Sequence, residues 1–191
     1  MPPILMQPRA RLDRLSQADR ACALFLPALA PFPPDLWKLV ALLPVLDING
    51  ALRAALEARP RFEAAPPAVG IFACDPFLRA ADLAALLHGA GIRTVVNFPT
   101  VQMFGGATTA ALASVGTRVE AEFQVLLRLA EAGLEPIACA TSRAAVDFAL
   151  ERGLRRILLH PGLVPPSDPA AWWAELAGHV AIEGGEALGW R

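Results

Sequence analysis

Two apolar runs of strand length, each stopped by a polar residue and a proline, constrain this chain more than any other feature. The first runs from Val69 through Gly70-Ile71-Phe72-Ala73-Cys74 and is closed by Asp75-Pro76-Phe77. The second is Thr94-Val95-Val96, closed by Asn97-Phe98-Pro99-Thr100. Between them Leu83, Leu86, Leu87 and Ala90 fall at i, i+3, i+4 and i+7, the spacing of one helix face. Gly91 follows, where a helix end takes a left-handed residue. Strand, helix, strand in so short a span is a parallel, right-handed βαβ unit. Asp75 and Asn97 then leave adjacent strands at their C-terminal ends, where α/β folds carry their chemistry.

The same alternation extends in both directions. Strands are expected at residues 3–7 and 22–26, with a helix over 9–21 between them. The proline-rich residues 27–34 exclude a regular element, and Asp35 is placed to cap a short helix from Leu36. Residues 49–58 read as a helix, and 101–106 as a long loop on the strand-end face. Residues 119–132 form the strongest helix pattern, with Phe123, Leu126, Leu127 and Ala130 as its stripe. A strand over 134–140, a helix over 143–152 and a strand over 157–159 follow. Next comes a helix carrying Trp172, Trp173 and Leu176, and then a seventh strand at 180–182. The junctions Ala90-Gly91-Ile92, Ala132-Gly133-Leu134 and Arg152-Gly153-Leu154 repeat one helix-to-strand turn, as alternating α and β requires. The fold expected is a single α/β domain over residues 1–191, a TIM-barrel-like parallel β/α barrel. With 191 residues against about 250 for eight complete units, it is expected to be incomplete, with about seven strands. An incomplete barrel leaves the first and last strands with open edges, which invite association. A homo-oligomer, with Trp172, Trp173 and Trp190 near the seam, is therefore the expectation.

Composition narrows the class further. A formal net charge of −1 argues against a general nucleic-acid surface. No window offers the eighteen or so uninterrupted apolar residues of a membrane span, and the start of the chain lacks the pattern of a signal peptide. Cys22, Cys74 and Cys139 are odd in number and lie in or beside expected strands, so they read as reduced thiols of a cytoplasmic protein. Their spacing suggests no zinc site.

Asp75-Pro76-Phe77, Asn97-Phe98-Pro99-Thr100-Val101 and His160-x-Gly162-Leu163 together resemble the motifs of the phosphoenolpyruvate hydrolase-like family of TIM-barrel proteins, also described as TIM-barrel signal transduction proteins. The resemblance is closest from Val69 to Leu163. It implies action on a small carboxylate or phosphorylated acid, with Asp75, Glu122 and His160 in acid/base or metal roles and Glu122 reaching over the barrel mouth. As substrate-binding residues, Asn97 and Thr100 offer uncharged donors and acceptors for a carboxylate or phosphate, Gly105 and Gly106 offer backbone N–H groups to an anion, and Gly184 and Gly185 are expected after strand seven, where barrels often bind phosphate. Whether a divalent metal takes part stays open.

Each residue also has a plainer reading. Asp75 before proline is a turn former, Asn97 can satisfy nearby backbone, and Glu122 suits a helix N-terminus. The chain departs from the family at several points. Gln7-Pro8-Arg9 replaces a glycine-rich first loop, residues 27–30 and 36–39 replace polar loops, and Glu183 replaces a histidine, placing an acid at the expected anion site. These losses support an alternative: a catalytically degenerate barrel that binds a ligand or serves in an assembly.

Overall fold

The computed structural model describes residues 4–13, 15–41, 46–59, 61–63, 65–104 and 106–190. Seven parallel strands form a closed barrel in sequence order: β1 (Leu5–Arg9), β2 (Ala23–Phe25), β3 (Ala68–Gly70), β4 (Thr94–Val96), β5 (Glu135–Ala140), β6 (Arg156–Leu159) and β7 (Glu186–Trp190). The expected open seam does not exist. β1 pairs with β7 through Leu5↔Gly189 and Met6↔Trp190, and the Gly189 N–H donates to the Ile4 carbonyl at 2.9 Å. Closure removes the unpaired edges on which the expected association rested.

The period of two along each strand sorts the core into layers. Met6, Leu24, Ala68, Val96, Ile137, Leu158 and Leu188 form one buried cluster inside the ring. Their neighbours Phe25, Val69, Val95, Ala138 and Ile157 face outward and join the helices in two further clusters. Those helices are α1 (Gln17–Ala21), α2 (Trp37–Val40), α3 (Ile48–Glu57), α4 (Ala80–Ala90), α5 (Gly106–Ser114), α6 (Val119–Glu131), α7 (Arg143–Glu151) and α8 (Pro169–Ile182). The central unit is as expected: α4 ends at Gly91, whose φ of 77° is the left-handed turn that only glycine adopts without strain.

Several expected elements are placed differently. The helix over 9–21 shrinks to α1, because the strand runs on to Arg9 and Ser16 caps a late start by accepting from the Asp19 N–H. Asp35 lies inside a 3-10 turn, Pro34–Leu36, and caps nothing with its side chain; α2 follows without a side-chain cap. The Asp47 carboxylate caps α3 by accepting from the Gly50 N–H at 2.7 Å. α5 follows residues read only as loop, and its alanine-rich sequence has no apolar stripe to announce it. On α6 the buried face is Glu122, Phe123, Leu126 and Leu129, while Ala130 is exposed. The stripe is thus rotated from the one expected.

The largest correction is at the end of the chain. Residues 180–182 finish α8, since Leu176 and Val180 are an i, i+4 pair on its buried face. The seventh strand comes afterwards, as β7. Glu183-Gly184-Gly185 therefore precedes the last strand and lies at the end of the barrel opposite the strand C-termini. Trp172 and Trp173 are half-buried against the cluster beneath α7 and α8. Among the described residues, no helix is long and apolar enough to cross a membrane.

Candidate functional site

Three of the inward-facing positions at the C-terminal end of the ring carry aromatic rings. Continuing the alternation two residues past Val96 and Leu158 gives Phe98 and His160, and two past Leu188 gives Trp190. Ring centroids of Phe98 and Trp190 are 4.5 Å apart, those of His160 and Trp190 are 4.5 Å apart in an edge arrangement, and those of Phe98 and His160 are 5.6 Å apart. This layer closes the top of the barrel core. His160 is fully buried, and its Nδ1 accepts from the Gly162 N–H at 3.0 Å, which places the ring proton on Nε2. Gly70 makes room for the layer: a Cβ there would stand 2.6 Å from the Phe98 carbonyl and also strike Leu26. Above Phe98 and Trp190 lies a cavity of about 340 Å³ whose rim includes Gln7, Arg9 and Trp37.

Asn97 and Glu122 belong to a different layer. Asn97 follows inward-facing Val96 and so turns outward, beneath α6. Its Nδ2 donates to Glu122 Oε2 at 2.8 Å, and the Thr100 hydroxyl donates to the same oxygen at 2.6 Å. The Val101 N–H donates to Glu122 Oε1 at 2.8 Å. The other end of the Asn97 amide accepts from the Cys139 N–H at 2.7 Å, which ties the group to β5. Gln102 extends the tie, donating to the Cys139 carbonyl at 2.8 Å and accepting from the Thr141 N–H at 3.1 Å. Asn97, Thr100 and Glu122 are all fully buried. Burial pushes the Glu122 carboxyl up from 4.5 to about 7, against the hydrogen bonds from Thr100, Val101, Asn97 and Gln102 that favour its charge. Glu122 therefore does not reach over the mouth; it sits between ring and helix, sealed and engaged.

Asp75 stands apart from both groups. One carboxylate oxygen accepts from Asn49 Nδ2 at 2.8 Å and the other from the Phe77 N–H at 2.9 Å, closing the turn after β3. Asn49 also brackets Phe72, donating to its carbonyl at 3.0 Å and accepting from its N–H at 3.1 Å. Among the expected substrate-binding glycines, Gly105 lies outside the described residues and Gly106 begins α5. Gly184 and Gly185 are at the far end, so the structure does not bring them to the other candidates. Of the cysteines, Cys139 is buried, whereas Cys22 and Cys74 are half-buried. Desolvation pushes the Cys74 thiol up to about 12, with the Glu122 charge adding to it. Among the described residues, no group of three or more His, Cys, Asp or Glu side chains converges to hold a metal ion.

The sequence reading missed Asn49, Gln102 and Arg9. Asn49 was hidden inside a helix pattern, but Gln102 could have been found: it follows Thr100 by two, as a partner in the same turn must. The structure thus holds three separate arrangements: an aromatic layer with His160, a buried carboxyl network at Glu122, and a turn anchored by Asp75.

Comparison with known proteins finds that residues 38–170 match the model of the family described as phosphoenolpyruvate hydrolase-like. The matched segment includes Asp75, Asn97, Thr100, Glu122 and His160 and leaves out β1, β2 and β7. The chain is also similar to the uncharacterized protein y4oT of Sinorhizobium fredii (strain NBRC 101917 / NGR234), with 33% identity over 119 residues, 62% of this chain and 60% of that protein. The chain thus spans less than two thirds of the length of this relative.

Proposed function

Since the chain belongs to the phosphoenolpyruvate hydrolase-like family, we propose that it is a ligand-binding barrel of that family, holding a small carboxylate or phosphorylated acid at its strand-end mouth. The observation that carries this reading is the cavity of about 340 Å³ directly above the Phe98–His160–Trp190 layer. Concave sites at the C-terminal face are where barrels of this kind bind small molecules. Binding without turnover is favoured because Asp75, Glu122 and His160 are engaged in separate groups, two of them fully buried. A general acid or base must come within hydrogen-bond reach of the ligand.

A second reading, hydrolysis of such an acid, is favoured by the full burial of the Glu122 carboxyl, which pushes it up to about 7, into the range in which catalytic carboxyls work. One experiment separates the two. Calorimetry with phosphoenolpyruvate and with pyruvate, each with and without magnesium, measures binding, while phosphate release is followed in parallel. Binding with no release supports the ligand-binding reading. Release that is lost in both Glu122→Gln and His160→Asn supports the enzyme. Absence of binding by either acid, with or without magnesium, rules out the mouth as a small-acid site.

A further inference from the structure

The mouth carries a cationic side chain that lies outside the family-matched segment. Arg9, at the end of β1, is the one cation among the described residues lining the cavity. Its Nη2 donates to the Gln7 side-chain carbonyl, and its Nε, out of contact with solvent, has no described acceptor. Among the described residues no carboxylate pairs with it; the ion pairs formed engage Arg11, Arg53, Arg59, Arg143, Arg152 and Arg156 instead. A neutral carboxamide orients the guanidinium without cancelling its charge. An arginine held this way, partly out of water and with no counter-ion among the described residues, is poised for an anion.

The walls narrow the anion's identity. Trp37, Phe98 and Trp190 present aromatic surface, and Pro8 adds apolar contact. Trp37 spends its indole N–H on the Phe32 carbonyl at 2.8 Å, so it has only ring surface to offer. The described lining contains no second cation and no glycine turn, either of which a phosphate dianion would call for. One guanidinium fork matches one carboxylate. The staggered closure shapes the opening: among the described residues β7 pairs only as far as Met6, so Pro8 and Arg9 rise past its end. Pro8 has no N–H to leave unpaired there.

We propose that Arg9 anchors the carboxylate of a monocarboxylic acid whose aromatic body lies against Trp37 and Trp190. This rests on reading the mouth as a small-acid site and narrows that reading to one class. The test titrates the protein with phenylpyruvate, pyruvate and phosphoenolpyruvate, followed by calorimetry and tryptophan fluorescence. Phenylpyruvate is expected to bind at least tenfold more tightly than the other two. Arg9→Gln is expected to weaken it at least tenfold and Arg9→Lys to restore part of that loss. Trp37→Leu, with its fold checked by circular dichroism, is expected to weaken phenylpyruvate but not pyruvate. Tighter binding of phosphoenolpyruvate, or phenylpyruvate affinity unchanged in Arg9→Gln, overturns the assignment and leaves the small-acid mouth standing. No binding of any of the three overturns both.

Discussion

Replacing Glu122 by glutamine tests the buried network, because the two residues differ only in what they can accept and ionise. Glu122 takes three hydrogen bonds, two on Oε2 and one on Oε1. A glutamine can keep the Val101 N–H on its oxygen, but its amide NH2 then faces the Asn97 NH2. Asn97 cannot flip to relieve this, since its oxygen accepts from the Cys139 N–H. A protonated carboxyl has a milder conflict: it still accepts from Asn97, and only its hydroxyl proton must share Thr100 Oγ with Gln102. At pH 5, where Glu122 is protonated in the fold, the variant is expected to be less stable by about 2–3 kcal/mol, the cost of unsatisfied buried donors.

The pH dependence runs in the opposite sense to that of an ordinary surface carboxylate. A folded value of about 7 against 4.5 for the unconstrained group means that the folded state keeps its proton where the unfolded state has lost it. Stability is thus full below pH 4.5 and falls as pH rises to 7. At about 1.4 kcal/mol per pH unit, the total is about 3 kcal/mol. Glutamine does not titrate and lacks this loss. Part of that loss falls below pH 5, so urea unfolding of both proteins from pH 5 to pH 8 should show a gap that shrinks by about 2–3 kcal/mol and nearly closes. A gap that stays constant, or widens with pH, refutes the assignment of the raised carboxyl to Glu122.

Two further substitutions probe the scaffold around the mouth. Asn49→Ala removes three hydrogen bonds that bracket Phe72 and Asp75, and should cost about 1–3 kcal/mol in urea unfolding; an unchanged midpoint would mean that solvent replaces them freely. Gly70→Ala drives a methyl against the Phe98 carbonyl and should cost about 1–3 kcal/mol. Gly189→Ala meets chiefly the mobile end of Leu5 and should cost less, so equal thermal midpoints for the two variants would contradict the close approach at Gly70.

The alternation of strands and helices was legible because apolar period and glycine stops are local properties. Leu83, Leu87 and Gly91 announce α4 without help from the rest of the chain. The seventh strand was misplaced because Val180-Ala181-Ile182 is apolar and β-branched enough to pass for a strand. Only the pairing of Glu186–Trp190 with β6 and β1 decides between them. Barrel closure was equally invisible, being a property of the ring and not of any segment. At the site, Asp75, Asn97, Thr100, Glu122 and His160 could be picked out, but not their division among layers. Asn97 and Phe98 are neighbours in sequence and face opposite sides of the wall, so a one-residue step sends the first to Glu122 and the second to His160. Arg9 could be read only as part of a loop that departs from the family, because nothing in the sequence shows that a charge near one terminus will meet Trp190 near the other.

Seven strands instead of eight also set the girth of the hoop, and girth governs what can stand inside it. Barrel diameter grows with strand number, and here the inner positions include Ala68, Gly70 and Cys139 beside Leu24, Val96 and Ile137. Splicing in another β/α unit would widen the hoop while leaving these short side chains in place, opening voids that carry a stability cost in proportion to their volume. Exchange of single units with wider barrels is thus closed to this chain unless its lining is enlarged at the same time. The number of staves and the size of the filling have to change together.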